Sequence, residues 1–217
     1  MGTRWIVFDF GGVICVPPSD AASEVLAGVV GVTAAQLWPA YWPDRIDYDA
    51  GTLDAAGFWH GVCARLGRAT PDAARLDRLV AADLAVWMDM NQDTLDLLAE
   101  LAALAEPAGD AAPGLALLSN APIEMARHIE EQDWSRLFRH RVFSADLGLA
   151  KPDARIYLHL CARLDARPDQ LLFIDDRPEN LTAARALGIE SLHYTDTPTL
   201  RADLARIGIT AAASPHL

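Results

Sequence analysis

The chain has 217 residues, 52% of them hydrophobic, and a net charge of −12 from 18 Lys and Arg against 30 Asp and Glu. That length allows one domain, or one domain carrying an insertion, and that hydrophobic content excludes wholesale disorder. The acidic balance argues against nucleic acid and an anionic membrane surface as partners, and no apolar run approaches the roughly 18 residues that span a bilayer.

The N-terminus lacks a basic flank, apolar stretch and small-residue cleavage site in sequence, so no secretory signal is expected. Cys15, Cys63 and Cys161 form no C-x-x-C pair and suggest a reducing, cytoplasmic setting.

In chain order, Trp5–Phe8 is a short apolar run ending at Asp9 and followed by Gly11 and Gly12, which reads as a buried strand opening into a tight turn. Residues 19–90 then follow a helical pattern. Thr33 and Gln36 make a capping box ahead of Leu37 and Trp38. Thr52 is the expected cap of a helix bearing Phe58, Trp59, Val62 and Leu66. Thr70-Pro71-Asp72 is the expected start of another, bearing Leu76, Leu79, Val80 and Leu84.

After Asn91 the pattern alternates. Residues 93–105 form a helix with Leu95, Leu98 and Leu101 on one stripe, and residues 107–114 a loop. Residues 115–118 are a second strand ending at Ser119-Asn120, and 122–131 are helical. Residues 141–144 are a third strand leading to Lys151-Pro152, and Asp153 caps a helix to about residue 164. Residues 171–174 are a fourth strand ending at Asp175-Asp176, 178–187 are helical, 191–194 form a fifth strand, and 198–207 a closing helix. The tail from Thr210 reads as frayed.

Short apolar strands alternating with helices predict a Rossmann-like α/β fold, a parallel sheet with helices on both faces. The first strand cannot stand alone and must join the later sheet. The expected domains are therefore a core of residues 1–16 and 92–217 and an inserted helical cap of residues 17–91.

In an open parallel sheet, ligands bind at the C-terminal ends of the strands. Four such places here bear polar residues: Asp9, Ser119, the segment reaching Lys151, and Asp175-Asp176. Singly, each is an ordinary turn or helix cap or a solvated charge. Together they put three carboxylates near one point, which calls for a counter-ion. Carboxylate, backbone and water oxygens suit Mg²⁺, and Mg²⁺ favours a phosphate substrate. A lysine and a serine there can bind phosphoryl oxygens, and an aspartate can act as a nucleophile.

The order Asp9-Phe10-Gly11-Gly12-Val13, Ser119-Asn120, Lys151-Pro152 and Asp175-Asp176 resembles the four motifs of the haloacid dehalogenase-like (HAD) hydrolase superfamily, from residue 5 to about 195. The insertion resembles the helical cap of its first subfamily. The resemblance implies a Mg²⁺-dependent phosphomonoester hydrolase acting through an aspartyl-phosphate on a small phosphorylated metabolite, as a monomer or homodimer. Asp9 would be the nucleophile and a metal ligand, and the Gly11 carbonyl a second ligand. Asp176 would ligate directly, with Asp175 beside it holding a metal-bound water or ligating in its place. Asn180 would orient metal-bound waters, Ser119 would bond the phosphoryl group, and Lys151 would neutralise charge on Asp9 and the phosphoryl oxygens. Asn120 would line the pocket.

One position departs from many members of the superfamily. Two residues past the nucleophile they have an aspartate that protonates the leaving oxygen; this chain has Gly11. Asp-x-Gly-x-Val resembles a branch that includes sugar-1-phosphate phosphatases. It implies a leaving group that needs little protonation, such as an anomeric sugar phosphate, or a proton from the substrate or a water. Two other readings remain: a 2-haloacid dehalogenase, against which the paired acids 175 and 176 weigh, and a non-catalytic protein of the same fold.

In the cap, Trp38, Tyr41 and Trp42 read as packing between helices, and Arg45 as a candidate for an anionic or hydroxylated substrate group. Trp59 and Trp87 read as core, and Cys15 as a small buried hydrophobe. Seventeen of the 18 basic residues are arginine, and the exception is Lys151.

Overall fold

The structure, a computed structural model, describes residues 3–108 and 113–209. Among these, five strands form one sheet: β1 (Trp5–Phe8), β2 (Gly114–Ser119), β3 (His140–Phe143), β4 (Leu171–Asp175) and β5 (Glu190–His193). Their order is β3-β2-β1-β4-β5, and every adjacent pair is parallel. β1, β2 and β4 are buried along their whole length, as expected of parallel strands covered on both faces.

Alternate side chains of these strands feed two cores. Ile6, Phe8, Leu115, Leu117, Leu172 and Ile174 pack against α6 (Gln92–Ala108), α7 (Ile123–Glu131) and α11 (Thr197–Arg206) through Leu98, Ile129 and Leu200. Trp5, Val7, Ala116, Leu118 and Phe173 face the other way, onto α9 (Ala154–Arg163) and α10 (Pro178–Ala186) through Tyr157, Leu160 and Leu181. The short α8 (Ser144–Leu147) follows β3 directly.

Between β1 and α6 lie α1 (Asp20–Val30), α2 (Ala34–Tyr41), α3 (Arg45–Asp49), α4 (Ala55–Arg65) and α5 (Ala73–Val86). They share an apolar core of their own, centred on Leu26, Tyr41, Phe58, Trp59, Val62 and Leu79. The capping box at Thr33 and Gln36 is present. The other two expected caps shift by two residues. Asp54 accepts from the Gly57 amide at 2.7 Å and Asp72 from the Arg75 amide at 2.8 Å, because a carboxylate in extended backbone takes the positive helix end in place of Thr52 and Thr70. The Thr52 hydroxyl instead donates to the Asp47 carbonyl at 3.0 Å.

β3 begins one residue before its expected start, and Ser144 opens α8. Helix α6 continues to Ala108, past its expected end at 105. The centre of the expected loop 107–114 and the tail from Thr210 lie outside the described residues. No single helix among the described residues is long and apolar enough to cross a membrane.

The helical unit joins the sheet through two neighbouring segments. The Val16 amide donates to the Asp89 carbonyl at 2.8 Å and the Asn91 amide to the Ile14 carbonyl at 2.9 Å, with Cys15 and Met90 bridged antiparallel between them. The end of α3 also docks on the sheet domain. The Ser144 hydroxyl donates to the Asp49 carbonyl, and the Tyr48 hydroxyl donates to Glu124 of α7 at 3.1 Å. Gly51 has φ +70°, and a Cβ there would stand 2.8 Å from the Ala145 carbonyl oxygen. Gly51→Ala should therefore lower stability by about 1–3 kcal/mol, read as a lower urea midpoint with an unchanged slope.

Candidate active site

β1 lies between β2 and β4, so the chain leaves the middle of the sheet in both directions and opens a crevice at the strand ends. Asp9 prolongs β1, its amide donating to the Ile174 carbonyl at 2.9 Å, and its Oδ1 accepts from the Phe10 amide at 2.7 Å. Asn120, just past β2, clamps the backbone of Lys151: its Nδ2 donates to the Lys151 carbonyl at 2.9 Å and its Oδ1 accepts from the Lys151 amide at 2.8 Å. The Lys151 side chain, only 1% exposed, then reaches three acceptors. These are Asp9 Oδ1 at 2.7 Å, Asp175 Oδ2 at 2.8 Å and the Leu118 carbonyl at 3.1 Å. An ammonium has three protons, so all are used.

Asp175 is equally well satisfied. Besides Lys151 it takes Asn180 Nδ2 on both oxygens at 3.0 Å and the Arg177 amide at 2.8 Å. Asp176 is not: its Oδ1 is buried without a hydrogen-bond partner. Oxygens of Asp9, Asp175 and Asp176 lie within 4.8 Å of one another. Gly12, at φ +73°, admits this arrangement, since any Cβ there would overlap the Asp176 carboxylate. Three carboxylates face one ammonium, leaving a local charge near −2, which a divalent cation with oxygen preference would balance. Of the paired acids, Asp176 is the one with an oxygen to give. Asn180, expected to orient metal-bound waters, has its amide nitrogen on Asp175.

Burial pushes the Asp9 carboxyl up, with Asp175 and Asp176 adding to the effect and Lys151 opposing it. Burial and then Asp175 push Asp176 up. Burial works against the Lys151 charge, but Asp9 and Asp175 outweigh it and hold the ammonium above its usual range. These directions describe a cluster short of positive charge.

The cluster opens into a cavity of about 450 Å³. Asp9, Gly11, Asn120, Lys151, Asp176 and Asn180 line it from the sheet domain, and Trp42, Arg45, Asp49 and Trp87 from the helical unit. Ser119 is buried at the end of β2 and is not part of the lining. Arg45 reaches the cavity, but its charge is already engaged. Its Nε donates to Asp49 at 2.7 Å and its Nη1 to Asp83 at 3.4 Å, over the rings of Tyr41, Tyr48 and Trp87.

Trp38 and Tyr41 pack between helices as expected, and Trp59 is core. Trp42 packs on Trp38 and Tyr41 at ring distances of 5.8 and 5.2 Å, and Trp87 packs against both cores; both also line the cavity, and Trp42 is 50% exposed. Cys15 is fully buried, and burial pushes its thiol up to about 12, so it is inert. Sequence reasoning missed Asp49 and Met125. Asp49 sits four residues after Arg45 in an acidic helix, a spacing that reads as an ordinary surface ion pair.

A family model described as haloacid dehalogenase-like hydrolase matches residues 3–188. A sesquiterpene phosphatase of Aspergillus oryzae is 21% identical over 193 residues, spanning 88% of this chain and 89% of the relative. A HAD-family enzyme of Bacteroides thetaiotaomicron, solved in complex with magnesium and inorganic phosphate, aligns with a TM-score of 0.70 at 21% identity, over 89% of this chain and 95% of that one. A dehalogenase structure aligns with a TM-score of 0.64 at 24% identity, over 88% of this chain and 84% of that one. At these identities the solved structures share the fold.

Asp176→Asn removes the charge from a half-buried carboxylate whose Oδ1 is buried without a partner, while keeping its shape. In chelator at neutral pH the variant should be more stable than the parent by about 1–3 kcal/mol, and it should lose most of the stabilisation that a divalent cation gives the parent. Paired urea titrations with and without cation measure both.

Proposed function

The chain belongs to the haloacid dehalogenase-like hydrolases, and we propose that it is a Mg²⁺-dependent phosphomonoester hydrolase working through an aspartyl-phosphate on Asp9. The observation that supports this most is the buried, unpartnered Asp176 oxygen within 4.8 Å of two further carboxylates, beside a saturated lysine. Asp9, Asp176 and the Gly11 carbonyl would hold the ion, with Asp175 behind them. When bound, Mg²⁺ supplies neutralisation of the anionic phosphoryl group and of the carboxylates around it.

The chain's own residues do the rest. Lys151 and the Phe10 amide hold Asp9 Oδ1 and so set the plane of the nucleophilic carboxylate. The Lys151 ammonium also offsets the charge of the incoming phosphoryl oxygens, with Asn120 lining the cavity at the neighbouring strand end. Residues 17–91 act as a cap on the core of residues 1–16 and 92–217, excluding water and contacting the leaving group. The three cysteines are free and buried, in keeping with a cytoplasmic setting.

Two substrate sets follow. The Asp-x-Gly-x-Val motif favours sugar phosphates. The wall of Trp42, Trp87 and Met125, together with the phosphatase relative of A. oryzae, favours phosphates of apolar alcohols. A dehalogenase reading explains Asp9 and Lys151 and has a structural neighbour, but it leaves the third carboxylate without a purpose.

Purified protein should release phosphate from members of a panel spanning both sets, with Mg²⁺ and not with chelator. Asp9→Asn should lower kcat on the order of 10⁴-fold or more. Lys151→Arg should fold but lose about 10²–10³-fold, because a planar guanidinium cannot take the place of a compact ammonium. Activity that survives chelation or Asp9→Asn would overturn the proposal, and halide release from 2-haloacids would replace it with the dehalogenase reading.

A further inference from the structure

An alkoxide is a poor leaving group, so hydrolysis of an alkyl phosphate needs a proton delivered to the departing oxygen. Gly11, two residues past Asp9, has no side chain to give one. The titratable residues lining the cavity are Asp9, Arg45, Asp49, Lys151, Asp176 and Arg177. Asp9 is the nucleophile, and Asp176 faces the proposed ion. The ammonium protons of Lys151 are all bonded, and the two arginines do not release theirs. Asp49 is left.

Resting on the phosphatase reading above, we propose that Asp49, from the helical unit, is the proton-transfer group of the reaction. Its placement supports the role. Asp49 is buried and lines the cavity. Its Oδ1 is held by Arg45 Nε at 2.7 Å, while its Oδ2 takes no hydrogen bond among the described residues. Its carbonyl accepts from the Ser144 hydroxyl, and the same hydroxyl accepts from the Ala121 amide at 2.9 Å. Ala121 directly follows Ser119-Asn120, so one side chain ties the acid to the loop that borders the phosphoryl site.

The charged groups facing Asp49 are Arg45 on its own helix, Asp83 on α5, and Arg177 from the loop after β4. Burial pushes the Asp49 carboxyl up to about 6, partly opposed by Arg45. A group that titrates near the working pH serves well as an acid and then as a base.

The steps balance. As the Asp9 oxygen bonds to phosphorus, the ester P–O bond breaks, and its electron pair goes to the leaving oxygen, which takes the Asp49 proton. Water then bonds to phosphorus, and the electron pair of the Asp9–phosphorus bond returns to Asp9. The water proton passes to the Asp49 carboxylate, restoring the starting state.

The test compares the Mg²⁺-loaded parent with Asp49→Asn on a primary alkyl phosphate and on p-nitrophenyl phosphate, whose leaving group needs no proton. For the alkyl ester, kcat/KM should fall about 10²–10⁴-fold. In the parent it should decline as pH rises through about 6, where Asp49 loses its proton, and the variant should lack that limb. For the aryl ester, kcat/KM should stay within several-fold. The variant should give a nitrophenolate burst equal to the enzyme present and then slow turnover, because the second step has lost its base. An equal fall in kcat/KM on both esters, or a pH limb unchanged in the variant, overturns the assignment. Should the variant misfold, a leaving-group series on the parent decides: a shallow dependence of kcat/KM on alcohol acidity supports an internal acid, and a steep one overturns it. A parent that hydrolyses neither ester refutes the phosphatase reading itself and Asp49 with it.

Discussion

One buried ammonium holds the working end of this molecule together. Lys151 receives acceptors from the ends of three different strands: the Asp9 carboxylate after β1, the Leu118 carbonyl in β2 and the Asp175 carboxylate closing β4. A lysine buried this deeply survives only with such partners, and a carboxylate buried this deeply only with such a lysine. Neither half of the arrangement is stable alone, so the three strand ends are specified together. What the lysine leaves uncompensated is as informative. It satisfies Asp9 and Asp175 and does not reach Asp176, so the cluster retains its need for further positive charge.

The strand ends were readable because parallel strands are short apolar runs and the polar residues that break them stand out. Asp9, Ser119, Lys151 and Asp175-Asp176 each follow or approach such a run, and the lone lysine among arginines marks itself. The helical unit was readable only as helices. Capping positions moved by two residues because Thr52 and Thr70 each have an aspartate two positions on, and a carboxylate binds a helix start more strongly than a hydroxyl does. That Trp42 and Trp87, besides packing on their neighbours, also wall a cavity depends on how two bodies dock, and no periodicity within one helix encodes that. Arg45 was visible as an unusual charge in an aromatic segment. Its neutralisation by Asp49 and Asp83 joins residues 38 positions apart and could not be seen along the chain.

The cavity is built from two bodies that contribute different chemistry. The strand ends supply charge and, in the proposed reaction, the nucleophile, at positions set by strand pairing. The helical unit supplies aromatic surface and, with Asp49 as the proton-transfer group, the acid. A reaction arranged in this way proceeds only when the two bodies are docked. The contacts that dock α3 are few and polar: a serine hydroxyl on a backbone carbonyl, a tyrosine on a glutamate, and a close approach at Gly51. Beside them Leu84, Trp87 and Met88, at and just past the end of α5, pack against the apolar core on the sheet, so docking also rests on apolar burial.

The paired segments that join the two bodies have a topological consequence. Ile14 and Asn91 are 77 positions apart yet share a hydrogen bond of 2.9 Å. The intervening chain leaves and returns at a single doorway, so its length adds only a slowly growing loop entropy to the sheet domain's stability. The length of that chain can change without altering strand order or the positions of Asp9, Asp175 and Asp176. The doorway thus makes the charge cluster, fixed by strand pairing and by Lys151, mechanically independent of how much chain is inserted above it.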